Sequence, residues 1–304
     1  MKHRTAAYSV GALALAAGCT FASLDDIHVG NGVLGPPPPP GAGEGGPPPG
    51  VADAGDAGDA GDAGEGGLPP GDGGIDLLLG LEGYWKLDGN ADDSSGNGTT
   101  LIVRPDAGSP TYTSGKIGSA LAPGIGQTFE CANCVWFTTP SNAFLTTPGD
   151  FTISMWAKRS SSPQTDVWAY YALFYNGQIL VAALSQGSPM PAYPSLLMLD
   201  PSGAASATVQ DTSFDFRATA NFEIWTHVIA FRYGSTIGVR FDGGTVVTKP
   251  FMGALHDADV FSLPEDIHGY PWQGAIDEVG KWNRALTAAE MDALWNGGVG
   301  RTLP

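Results

Sequence analysis

From Ile75 onward the chain consists of short apolar, aromatic and β-branched runs, broken every few residues by Gly, Pro, Asn or Asp. That rhythm suits strands and tight turns, and it confines this region to a sandwich or a barrel. Phe151–Lys158 alternates, with Phe151, Ile153 and Met155 on one face and Thr152, Ser154 and Trp156 on the other. A period of two is the mark of a strand with one side toward a core. Val167–Tyr175 and Gln178–Leu184 read as a hairpin turning at Asn176-Gly177, a dipeptide that accepts the positive φ of tight turns. Ile224–Tyr233 and Ile237–Phe241 predict further strands, and Asp242-Gly243-Gly244 turns the chain into Thr245–Thr248. One helix is expected, from Thr287. There Thr287 and Glu290 form a capping box, Met291, Leu294 and Trp295 supply an apolar stripe, and Gly297 ends it.

Two blocks bracket this region. Gly83–Gly98 reads GYWKLDGNADDSSGNG and puts Tyr84, Trp85 and Leu87 ahead of a loop crowded with Asp, Asn, Ser and Gly. Trp272–Trp295 reads WQGAIDEVGKWNRALTAAEMDALW, a strand-like run that passes through Asn283 and Arg284 into the capped helix. Between them stand SGKIGSALA (Ser114–Ala122), DFTISMWAK (Asp150–Lys158) and IWTHVIAF (Ile224–Phe231). In this order the strings resemble the LamG-like (laminin-G, concanavalin A-like) modules of secreted bacterial proteins. The resemblance covers roughly the last three quarters of the chain. It implies an all-β, two-sheet antiparallel jelly-roll sandwich with a short C-terminal helix, the C-terminal block returning beside the N-terminal one. Lys281 stands where such modules usually carry an aliphatic residue, so a more exposed strand face is expected there.

The chain begins as an export signal does. Lys2, His3 and Arg4 form a basic head, and Ala6–Ala17 is apolar but shorter than the ~20 residues that span a bilayer. The string LALAAGC resembles a bacterial lipoprotein signal, with cleavage before Cys19 and a lipid on its sulfur; Ala16 departs from the usual Leu. Ordinary secretion with cleavage near Ala17 or Gly18 is the alternative. The three cysteines favour lipidation, since an acylated Cys19 leaves Cys131 and Cys134 as a pair. A structural disulfide is preferred to a redox motif for Cys131-Ala-Asn-Cys134, because no βαβ pattern surrounds it.

Residues 19–74 hold proline runs (Pro36–Pro40, Pro47–Pro49) and four Asp-Ala-Gly triplets over Asp53–Gly64. So few apolar residues cannot offset the entropy of ordering, so this is a disordered linker, a stalk of roughly 40 Å as a flexible coil. The plan is a signal at 1–18, a linker at 19–74 and a domain at 75–304. Removing Lys2 and Arg4 leaves 12 of the 14 basic residues against 31 acidic ones, a formal charge of −19. That balance argues against nucleic acid and against docking on anionic lipid, so membrane contact is expected through the lipid anchor only.

For chemistry, Asp88, Asp92, Asp93, Ser94 and Asn97 crowd one loop. Hard cations take six to eight oxygens, and such a loop supplies them over a short span. The resemblance adds Asp277, because relatives hold Ca²⁺ where the terminal strands meet; the expected ligands are Asp88, Asp93, Asn97 and Asp277. The competing reading is a loop whose Asp and Asn side chains bond their own turn. Adjacent on a strand, Asp277 and Glu278 are expected to face opposite ways and so to make no acid–base pair. His227 is expected to be structural, and the cluster from His256 to His268 is read as a solvated loop. Trp85, Trp156, Trp225 and Trp282 are expected in the core. Tyr171, Tyr175, Tyr193 and Tyr270 are further surface candidates for stacking on sugar rings, and Trp168, Tyr170 and Trp272 are the expected ligand-binding residues.

The expected function is a non-enzymatic, monomeric, extracytoplasmic binding module on a bacterial cell envelope. Its expected ligand is a glycan or a surface protein, with Ca²⁺ as a possible cofactor. A glycosidase or lyase of the same fold, or a protein-binding adhesin, is the alternative.

Overall fold

Apolar residues at every second position form strands because one pleated face can then be buried throughout its length. The structure, a computed structural model, describes residues 68–69, 74–103, 109–122, 137–139, 149–160, 170–175, 179–185, 191–200, 206–255, 262–263 and 272–304. The strands are β1 (Leu81–Trp85), β2 (Ile102–Val103), β3 (Tyr112–Ser114), β4 (Ser119–Leu121), β5 (Phe137–Thr138), β6 (Phe151–Arg159), β7 (Tyr170–Tyr175) and β8 (Ile179–Ser185). They continue as β9 (Ala192–Leu199), β10 (Ser206–Gln210), β11 (Trp225–Tyr233), β12 (Thr236–Phe241), β13 (Val247–Pro250), β14 (Ser262–Leu263) and β15 (Gly274–Trp282), followed by helix α1 (Ala288–Trp295).

They make an antiparallel two-sheet sandwich. The first sheet runs β13-β12-β11-β6-β15-β4-β3, with β1 also on β15; the second runs β10-β9-β8-β7-β14-β5-β2. Thus β15 returns between β6 and β1, in the terminal juxtaposition expected from the paired blocks. The hairpin across Asn176-Gly177 forms as β7 against β8, though the turn itself lies outside the described residues. Ile153, Met155 and Ala157 of β6 and Val228 and Ala230 of β11 point inward. They meet Val181, Ala183, Leu196 and Met198 of the second sheet in one buried cluster. Each of the Val, Ile, Leu and Met side chains contributes on the order of 1.5–3 kcal/mol by leaving water.

The outer face of the first sheet is also covered. Met291 and Leu294 of α1, with Leu303, pack on Tyr84, Ile229, Phe231 and Trp282 in a second buried cluster. The helix starts as its capping box predicts: Glu290 N donates to Thr287 Oγ1 at 3.3 Å, and Thr287 N donates to Glu290 Oε2 at 2.9 Å. It ends on Asn296, in the left-handed region with φ 49° and ψ 50°, and Gly297 follows at φ 62°.

Two expectations are corrected here. Lys281 is buried, and its Nζ donates to Glu82 Oε2. Burial pulls the ammonium pKa down and the Glu82 carboxylate resists, so a partner on β1 replaces the exposure expected at this position. The alternation of β15 also breaks. Ile276 and Val279 both belong to the inner cluster, so two residues stand between core positions where a regular strand has one. The register against β6 shifts between Asp277 and Gly280, and Glu278 takes φ 52°. This bulge puts Asp277 and Glu278 outside the inter-sheet core together.

Candidate functional site

The acidic loop after β1 closes on itself. Asp93 Oδ1 accepts from Tyr84 N at 3.1 Å and Ser95 N at 2.8 Å, and Oδ2 accepts from Thr99 N at 3.0 Å. Burial pushes the Asp93 carboxyl up, but the hydrogen bonds from Thr99 and Ser95 outweigh it and hold the group below its usual range. Asn97 spends its Nδ2 on Leu81 O at 2.9 Å and Glu82 O at 3.2 Å, which ties the loop to β1. Asp93 and Asn97 are therefore turn-formers. Among the described residues no three His, Cys, Asp or Glu side chains converge as a metal cage.

Asp88 and Asp277 are brought together across the β3–β4 turn. Asp88 Oδ1 accepts from Ser119 N at 2.5 Å. Asp277 Oδ2 accepts from Lys116 N at 2.7 Å and Ile117 N at 3.0 Å. A Cβ at Gly115 would sit 2.7 Å from Asp277 Oδ2, so only glycine lets the carboxylate approach so closely. Asp277 Oδ1 is buried without a hydrogen-bond partner. Burial, with some repulsion from the Asp88 charge, drives the Asp277 pKa up to about 7 against the three backbone N–H bonds that lower it. A buried carboxylate oxygen left over beside a second carboxylate fits a hard cation, which would repay the missing interaction.

Glu278, on the bulge, has both carboxylate oxygens buried without a hydrogen-bond partner. Burial pushes it up to about 8, and proximity to Thr302 opposes this only in part. Beside it on the first sheet's outer face, His227 Nε2 lies 2.8 Å from Ser154 Oγ, and the imidazole stacks on Trp156 at 4.8 Å. Burial, then the Arg240 and Lys116 charges, lower the His227 pKa to about 3, so the ring is neutral. Gly300 lies against Trp156, and Leu303 N donates to the Tyr84 hydroxyl at 3.1 Å, so the C-terminal segment lies over this face. Ser154 and His227 are buried beneath it, consistent with the structural role expected of His227.

The outer face of the second sheet differs. On β9 the residues between core positions are Tyr193, Ser195 and Leu197, and on β10 they are Ser206, Thr208 and Gln210. Thr208 pairs with Leu197 and Gln210 with Ser195. Gln210 Nε2 donates to Ser195 Oγ at 3.0 Å, and that hydroxyl donates to Tyr193 O at 2.7 Å. Tyr193, Leu197, Thr208 and Gln210 are half-exposed, whereas Leu180 and Ala182 on β8 are buried. Of these positions sequence reasoning singled out only Tyr193, as a surface aromatic; the signal for the rest was the alternation at 193, 195 and 197 beside that at 206, 208 and 210.

The stacking candidates fare less well. Trp272 is fully buried, its indole N–H donating to Ala275 O at 3.3 Å and its ring edge-on to Phe216 at 5.2 Å, so it is core and cannot stack on a ligand. Tyr170 opens β7 opposite Leu184. Trp168, Tyr270, Cys19, Cys131, Cys134 and the cluster from His256 to His268 lie outside the described residues. Of the four core tryptophans, Trp85, Trp156 and Trp282 are buried and Trp225 is half-buried. No helix among the described residues is long and apolar enough to cross a membrane.

Known proteins can be set beside this geometry. The family model of the concanavalin A-like lectin/glucanases superfamily matches residues 135–292, about half of the chain. No curated protein matches it in sequence. Among solved structures, the binding domain of Paraclostridial Mosquitocidal Protein 1 is similar at 17% identity and a TM-score of 0.55, over 73% of this chain and 53% of that one. The binding domain of Botulinum Neurotoxin DC in complex with SialylT is similar at 11% identity and 0.52, over 73% and 52%. The same toxin domain in complex with rat synaptotagmin II gives 11% and 0.53, over 73% and 52%. The chain spans about half the length of these structures, and at such identities the likeness is one of fold.

Proposed function

The chain belongs to the concanavalin A-like lectin/glucanases superfamily, and from that premise we propose that it is a non-catalytic glycan-binding module. It is exported and held on a bacterial envelope through a lipid on Cys19, with residues 19–74 as its stalk. The observation that carries the reading is the contrast between the sheets: the polar groups in the middle of the first sheet, Ser154, His227, Asp277, Glu278 and Lys281, are buried, while β9 and β10 keep half-exposed polar side chains on their outer face. Glycoside hydrolysis needs two carboxyl groups about 5–10 Å apart flanking an accessible sugar. Asp277 and Glu278, the acidic pair on β15, are both buried. The likeness to a toxin binding domain, solved in complex with SialylT and with rat synaptotagmin II, adds fold-level support for binding over turnover.

Calcium belongs to the same proposal, in a narrowed form. Asp88 and Asp277 are its side-chain ligands, with backbone carbonyls and water completing the shell. Bound there, Ca²⁺ would supply charge neutralisation and lock the β3–β4 turn to β15.

A glycan array probed with the full exported chain, with calcium and with chelator, tests the reading. Retention of a defined glycan supports it. Turnover of a polysaccharide by the purified protein overturns the non-catalytic assignment. A blank array beside specific capture of one envelope protein moves the function to adhesion.

A further inference from the structure

Among the described residues the second sheet has seven strands, and they contain no Asp, Glu, Lys, Arg or His, in a chain whose formal charge is −17. The first sheet's strands carry both signs, among them Lys158, Arg240, Asp277, Glu278 and Lys281. A core-facing strand face is always uncharged, so the informative half is the outward one. On β9 and β10 it offers a phenol, a hydroxyl, an amide and an aliphatic side chain, Tyr193, Thr208, Gln210 and Leu197, with the Ser195 hydroxyl buried among them. The Gln210 amide is oriented by Ser195 at 3.0 Å, across the β9–β10 pair, so a polar group is held in place there by a buried hydroxyl.

We propose that this face takes a neutral glycan, one without uronate, sialate, sulfate or phosphate groups. This rests on the glycan-binding reading and adds the site and the charge class. An anionic sugar would lose hydration on docking and meet no cation on these strands, in the field of a strongly acidic protein. An amino sugar cation would find no carboxylate on them. Neutral hydroxyls suit this face: they exchange hydrogen bonds with Thr208 and Gln210, while the apolar side of a sugar ring lies on Tyr193 and Leu197. Without charge–charge pairs, affinity is insensitive to ionic strength.

The test uses the full exported chain against immobilised β-glucan, mannan and arabinan, and against polygalacturonate and chondroitin sulfate. The expected result is binding to at least one neutral polymer and to neither acidic one. Affinity should hold within about twofold between roughly 50 and 500 mM salt. Tyr193→Ala should weaken it by roughly tenfold and Gln210→Ala by about threefold, with melting curves unchanged to show that both variants fold. Retention of an acidic polymer that fades with salt overturns the charge class. Neutral binding that survives both substitutions overturns the site while the glycan-binding function stands. A panel blank for every polymer overturns the inference together with the function beneath it.

Discussion

Asp93 and the Asp277–Glu278 pair are carboxylates within the same β1–β15 neighbourhood, yet they sit at opposite electrostatic extremes. Asp93 occupies a glycine-rich turn; the N–H groups of Ser95 and Thr99 in that turn and of Tyr84 on β1 point at it, and the bonds from Thr99 and Ser95 hold it below its usual range. Asp277 and Glu278 occupy a bulge in a central strand, where burial outweighs what the backbone offers and pushes them up to about 7 and about 8. Donor supply does not explain the contrast, since three backbone N–H groups also bond Asp277. Depth of burial does: Asp93 is half-buried, whereas Asp277 and Glu278 are buried.

The sharpest way to break this comparison is Asp93→Ala. It leaves the N–H groups of Tyr84, Ser95 and Thr99 without their carboxylate, at a cost of about 3 kcal/mol after allowing for partial exposure. A denaturant midpoint within error of the wild type would show that the loop does not depend on this cradle.

Calcium comes next. Hundredfold excess over Kd stabilises a protein that binds only when folded by about 2.7 kcal/mol. The gain should vanish in Asp277→Asn but persist in Asn97→Ala, since Asn97 is a turn-former. Affinity should also rise with pH until Asp277 ionises near 7, because the cation competes with its proton. Equal melting temperatures in millimolar calcium and in chelator, on metal-free protein, would remove the site.

The third prediction concerns pH in the metal-free protein. Unfolded, Asp277 and Glu278 release protons near 3.8 and 4.5; folded, they keep them to about 7 and about 8. The folded state holds more protons across that window, so this contribution to stability is fully present below pH 4 and is lost as pH rises toward 8. Asp93 runs the other way, contributing above its unfolded value of 3.8 and losing that contribution as pH falls through its lowered folded value. Glu278→Gln should therefore gain on the order of 2 kcal/mol at pH 9 relative to the wild type and nothing at pH 4. Parallel stability profiles for the two proteins would sink the assignment of a buried neutral Glu278.

The smallest effect is expected at exposed Asn97. Asn97→Ala removes the amide bonds to Leu81 O and Glu82 O and should cost about 1 kcal/mol, read as a melting shift of a few degrees.

Much of the sandwich was legible because periodicity is a local property. Phe151–Lys158 became β6, the run from Ile224 became β11, and Thr287 with Glu290 capped the helix as their spacing required. The site was less legible. Trp272 reads like any surface-capable aromatic, and only its packing on Phe216 makes it core. The bulge at Glu278 inserts one residue into an otherwise regular strand, and no feature of IDEV marks it.

By itself, then, the order of residues determined the strand rhythm, the turns and the capped helix. These depend on backbone preferences and on the identity of near neighbours. Tertiary structure alone decided which carboxylates are ionised, that Lys281 would be buried against Glu82, and that Asp88 would meet Asp277 across the β3–β4 turn. Each of these rests on groups far apart in the chain, as Lys116 and Asp277 are. Their energies come from burial and from donors that exist only once the two sheets have closed.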